Sequence, residues 1–113
     1  MSGPKREVDL AHSADERGTR SIWAQRGEDG SLTIEGQDLG AAVERAFGSR
    51  EYEWAWTIAP ADVPRVAEVF GGQAGDDPLD ALVRWSRENG DRDPGTLLKD
   101  GGIIAAFWSR VGD

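Results

Sequence analysis

The run Arg50-Glu51-Tyr52-Glu53-Trp54-Ala55-Trp56 holds the residues best placed to do chemistry. On a pleated strand, Glu51 and Glu53 project from one face with side chains about 7 Å apart. Two carboxylates at that spacing can divide acid and base roles, as in glycoside hydrolysis, if their surroundings separate their proton affinities. The plainer reading is a solvated outer face, where glutamate also discourages unwanted strand pairing. The other face carries Tyr52, Trp54, Trp56 and Ile58. Such a row could stack ligands, but a nucleic-acid platform needs cations beside the rings, and the neighbours here are glutamates. A packed aromatic ring buries roughly 150–250 Å², so this face is expected in the core.

Other constellations carry less. His12 is the only histidine, which rules out multi-histidine metal sites and would force any Ser-His-Asp triad onto the polar amino-terminal stretch. Asp76, Asp77 and Asp80 cluster, as do Asp91 and Asp93, but proline interrupts both groups and neither matches a calcium loop. Asp77-Pro78 and Asp93-Pro94 read instead as helix caps followed by proline at the first helical position. The glycine-rich loop Gly71 to Asp77 precedes a helix, as phosphate loops do. It lacks their Lys and Ser/Thr, and its aspartates would repel phosphate. No catalytic residue, cofactor site or metal site is therefore assigned.

The elements that must position Glu51 and Glu53 follow from patterning. Arg20 to Gln25 reads as a strand, Glu28-Asp29-Gly30 as a tight turn, and Ser31 to Gly36 as an alternating partner strand. Asp38 is expected to cap a helix carrying Leu39, Val43, Ala46 and Phe47 on one stripe and ending at Gly48. Glu51 to Ile58 is the third strand. A helix starting near Ala61 or Asp62 places Pro64 in its first turn, and two more start at Asp77-Pro78 and Asp93-Pro94. Ile103 to Trp108 fits either a fourth strand or a last helical segment. Residues 1–18 are polar and are expected to form a largely disordered arm, with a short edge strand open at Val8 and Leu10. The result is one α+β domain over residues 19–113. It holds a small antiparallel sheet of three or four strands, covered on one face by three or four helices in the order ββαβααα.

Composition narrows the class of function. A chain of 113 residues fits a single domain, and the absence of cysteine excludes disulfides, thiolate nucleophiles and cysteine zinc sites. The apolar runs fall short of the roughly 18 residues of a membrane span, and the amino terminus does not read as a secretory signal, so a cytoplasmic protein is expected. The formal net charge is −8. Residues 1–20 balance four basic against four acidic groups, so the whole excess lies in the folded part. Such a surface disfavours nucleic acid and anionic membranes and favours a basic protein partner.

Three stretches, Glu51-Tyr52-Glu53-Trp54 with Trp56, Asp62-Val63-Pro64-Arg65, and Phe107-Trp108-Ser109-Arg110, resemble small uncharacterised α+β proteins of high-GC actinobacteria. That resemblance spans residues 20–110 and implies fold and origin, with no activity attached. In size, charge and aromatic sheet the chain is also similar to the acidic immunity proteins of bacterial toxin systems. The leading expectation is thus a non-enzymatic, acidic protein-binding module, immunity-like or regulatory, contacting its partner through Arg50, Glu51, Glu53, Asp76 and Asp77. The alternatives are a small enzyme or ligand-binding protein using Glu51 and Glu53 near Tyr52, and a DNA mimic whose acids are spaced like phosphates.

Overall fold

The computed structural model describes residues 4–48, 50–90 and 92–112. Met1 to Gly3, Asp91 and the Phe47 side chain, which entered the reading above, lie outside the described residues. Five strands run β1 (Pro4–Asp15), β2 (Gly18–Gly27), β3 (Leu32–Leu39), β4 (Glu51–Ile58) and β5 (Ala105–Gly112). They form one antiparallel sheet in sequential order β1-β2-β3-β4-β5. Helix α1 (Ala41–Phe47) joins β3 to β4. A 3-10 turn (Pro60–Asp62) leads into α2 (Val63–Val69), α3 (Pro78–Asn89) and α4 (Gly95–Asp100), which together connect β4 to β5.

The sheet has two unlike faces. Ile22, Ala24, Leu32, Ile34, Trp54 and Ile58 point to one side and join Val63, Val66, Leu79, Leu82, Trp85 and Leu98 of α2, α3 and α4, with Phe70 just after α2, in a single core. Trp54 is only 5% exposed, because its indole lies flat over Gly36 on the neighbouring strand. A β-carbon at Gly36 would sit 2.1 Å from Trp54 Cζ2, so only glycine leaves room for the ring. Tyr52 and Trp56 are half-buried against this core, as the alternation in β4 predicts. Trp56 repeats the device: its ring covers Gly95 at the start of α4, and its Nε1 donates to Asp93 Oδ1 at 3.2 Å.

Local chemistry explains most boundaries. The β2–β3 hairpin closes where Asp29 accepts from the Ser31 backbone N–H and hydroxyl, with Gly30 at φ 90°. Asp77 caps α3 by accepting from the Asp80 N–H at 2.9 Å, and Pro78 opens the helix. Asp93 accepts from the Gly95 N–H at 2.9 Å, although Pro94 takes the cap position.

Three expectations change. In place of a disordered arm, residues 4–15 form β1, which pairs with β2 along its length and packs Val8, Leu10 and Ala11 on the core. Alternating charges conceal the strand, because only the register with β2 shows which residues face inward. Ile103 to Trp108 divides, with Ile103 buried before β5 begins at Ala105, so the sheet has five strands. Asp38 does not cap α1. It stands opposite Arg20 in β3, receiving Nε at 2.7 Å and Nη2 at 2.9 Å, while Gly40 takes the cap position.

Candidate functional site

Glu51 and Glu53 share the face of the sheet turned away from α2, α3 and α4. Register defines what surrounds them. One row across that face reads Asp9, Trp23, Glu35, Ala55 and Trp108; the next reads His12, Ser21, Gln37, Glu53 and Arg110. Leu39, Glu51 and Gly112 continue the pattern beside them. The core-forming side chains of these strands lie on the opposite side, so this face is polar and aromatic, as expected for an antiparallel sheet with one open side.

Its carboxylates are tied to neighbours. Trp23 Nε1 donates to Glu35 Oε2 at 2.6 Å, and Gln25 Nε2 to the same oxygen at 3.3 Å. Gln37 Nε2 donates to Glu51 Oε2 at 2.9 Å. Arg110 Nη2 bridges to Glu53 at 3.3 Å. His12 Nδ1 lies 2.9 Å from Ser21 Oγ. Glu51 and Glu53 are half-buried. Trp108 stands above the small Ala55 and remains 51% exposed.

Acid–base chemistry on Glu51 and Glu53 would need a concavity that excludes water. Among the described residues, neither glutamate lines any of the four main clefts. The largest of these four, about 460 Å³, lies on the helix side between Trp56, Asp93, Thr96, Lys99 and Ile104. A hollow of about 380 Å³ opens beside Asp9, His12, Ser21 and Trp23 where β1 bulges. The acids of the open face alternate with Trp, Gln, Ser and Arg, so they form no unbroken stripe of the kind a DNA mimic presents.

The sequence-predicted contact residues do not all meet. Arg50 immediately precedes β4, exposed, with Glu44 at 3.9 Å. Asp76 lines a cleft with Arg26, Gly30 and Pro60, at the Ile58 end of β4. Glu51 stands at the other end of this eight-residue strand, about 23 Å away. Asp76 lies 3.6 Å from Arg84, and Asp77 binds Arg6 Nη1 at 2.8 Å while capping α3. Arg6 also reaches Asp80 at 2.7 Å; the hydrogen bond to Asp80 and the charge of Asp77 raise its pKa. Asp77 and Asp80 serve the β1–α3 seam, and Asp76 holds the loop before α3, all apart from Glu51 and Glu53.

Sequence reasoning missed Trp23, Glu35, Trp108 and Arg110 as members of the same face. The only signal was the Phe107-Trp108-Ser109-Arg110 stretch, whose placement beside Glu53 and Ala55 depends on pairing across more than fifty residues. Among the described residues no helix is long and apolar enough to cross a membrane. No protein-family description, curated protein or solved structure matches this chain.

Proposed function

We propose that the chain is an acidic protein-binding module that meets a basic partner with the open face of its sheet. The observation that carries this reading is the half-exposed Trp108 standing beside Ala55, within a face that also presents Trp23, Glu35, Glu51 and Glu53. Flat aromatic surface supplies contact area at low entropic cost, and the surrounding carboxylates suit lysine or arginine side chains that can also lie over an indole. The charge of −8 adds long-range attraction for the same partner. Arg50, Glu51 and Glu53 remain in the proposed contact; Asp76 and Asp77 do not, since they face the helix layer.

The test is affinity capture from the native cell by the wild-type chain and by a Glu51→Lys/Glu53→Lys double variant. Retention of a basic protein at low salt, its release near 0.5 M salt, and its loss from the double variant are expected, because exposed charges are screened over a few ångströms at that ionic strength. A retained set indifferent to both salt and charge reversal contradicts the reading.

A further inference from the structure

Exposed apolar residues are not scattered over this protein. Of the five large ones among the described residues, four are Ile104, Phe107, Trp108 and Val111, on β5 or directly before it, with exposures of 88%, 51%, 51% and 45%. β5 is an edge strand, so one row of its backbone N–H and C=O groups has no strand beside it. The two edges of the sheet are treated differently. β1 carries Arg6, Glu7, Asp9 and Asp15, and its register shifts twice, devices that blunt an edge. β5 pairs with β4 without a register shift, and Arg110 is the one charged residue among Ala105–Gly112. A long, regular, apolar edge is a template for another strand.

We infer that the occupant of this edge is a second copy of the chain, paired antiparallel through β5 about a two-fold axis at Ser109. A two-fold that makes edge strands antiparallel stands perpendicular to the sheet and sets one residue against itself, so the pairing options are few. Centring on Arg110 would oppose two like charges. Centring on Trp108 would set Phe107 against Ser109 and Ala106 against Arg110. Centring on Ser109 sets Phe107 against Val111 on the helix side, an aromatic against a β-branched residue. It sets Trp108 against Arg110 on the open side, a cation over an indole. Arg110 also contacts Glu53 of its own chain, at 3.3 Å. Phe107 packs against Trp56 with ring centroids 4.6 Å apart and planes tilted by 50°, which extends the apolar contact inward from the edge.

Phe107, Trp108 and Val111 lie within the paired segment and Ile104 lies just outside it, so the contact is carried by the paired β5 backbones and these three exposed side chains. A head-to-tail pairing of β5 on β1 would instead build an open filament against a charged, bulged edge. Two-fold pairing places both open faces on the same side of a ten-stranded sheet, so two copies of the proposed partner face lie side by side.

The chain contains no cysteine, so a single introduced cysteine can cross-link only between copies. Directly opposed residues have Cα atoms about 4.5–5.5 Å apart, within disulfide range. Full-length Ser109→Cys, treated with an oxidised-glutathione buffer, is expected to run as a covalent dimer. Glu7→Cys on the β1 edge and Thr33→Cys on the central strand are expected to stay monomeric. By light scattering, the wild-type chain near 100 µM should show twice the monomer mass. Val111→Lys, which substitutes an exposed position and should keep its circular dichroism spectrum, should show the monomer mass. A folded wild-type chain that remains monomeric overturns the inference. So does a dimer that cross-links through Glu7→Cys and not through Ser109→Cys. A monomer whose β5 amides become protected only when a different protein is added also overturns it, leaving the partner-binding reading standing.

Discussion

Replacing Gly36 by alanine tests whether the sheet is built around Trp54. The added β-carbon would lie 2.1 Å from Cζ2 and 2.2 Å from Cε2 of the indole, against an ordinary carbon–carbon contact of about 3.5–4.0 Å. Closing that gap needs a displacement of more than 1 Å, either of the ring or of β3 from β4. Both are confined, since Gly36 and Trp54 are directly paired in the ladder and the ring is buried by the helix layer. Overpacking of a core typically costs about 1–3 kcal/mol. Expelling the indole altogether would forfeit about 3–5 kcal/mol, the usual loss on truncating a buried aromatic. The expected cost of Gly36→Ala is therefore about 3 kcal/mol, a drop in melting temperature of roughly 12 °C for a domain of this size. Urea unfolding followed by tryptophan fluorescence reads it directly. The double variant Gly36→Ala/Trp54→Leu should lose less than the sum of the two single losses, because the smaller side chain vacates the space the methyl needs. A cost below about 0.5 kcal/mol, or strict additivity, would refute the packing argument.

Three further outcomes follow from the same geometry. Asp77→Ala should cost about 1 kcal/mol by urea unfolding, chiefly from the lost cap on α3, since the exposed Arg6 pair adds little. Asp38→Ala should cost more, about 2 kcal/mol, because it removes a two-pronged, half-buried partner of Arg20. The Asp29 and Asp15 carboxyls are held below the usual carboxylate range, the first mainly by the Ser31 hydroxyl and the second by the Arg17 backbone N–H. A lowered folded pKa contributes stability that is present above the ordinary value and is lost as pH falls through the folded one. The deficit of an Asp29→Ala/Asp15→Ala variant in thermal melts should thus be full at pH 7 and shrink as pH falls below about 4. A deficit that grows on acidification would contradict it.

Much of the framework is legible in the chain because it rests on local chemistry. The β2–β3 hairpin is announced by Asp29-Gly30 between alternating strands, α3 by Asp77-Pro78, and the inward row of β4 by its period of two. What escapes reading depends on contacts distant in sequence. β1 looks like a polar arm until its pairing shows Val8 and Ala11 facing the core. Ala105 to Trp108 is apolar on both faces of a strand and would be equally apolar on a helix; its place at the open edge decides. Asp38 has the chemistry of a cap, yet the β2 register brings Arg20 opposite it. The candidate face divides in the same way. Glu51 and Glu53 can be assigned to one side of β4 from sequence. Their company of Trp23, Glu35, Trp108 and Arg110 comes from three strand registers, and the exclusion of Asp76 and Asp77 comes from the path of α2 and α3.

The most direct test of the open face as the partner surface is hydroxyl-radical footprinting of the captured complex, read residue by residue by mass spectrometry. Trp108 and Trp23 should be protected by the partner, while Pro64 and the loop at Asp76 stay as reactive as in the free chain. Protection confined to the Asp76 side, with Trp108 still fully oxidised in the complex, would contradict the account.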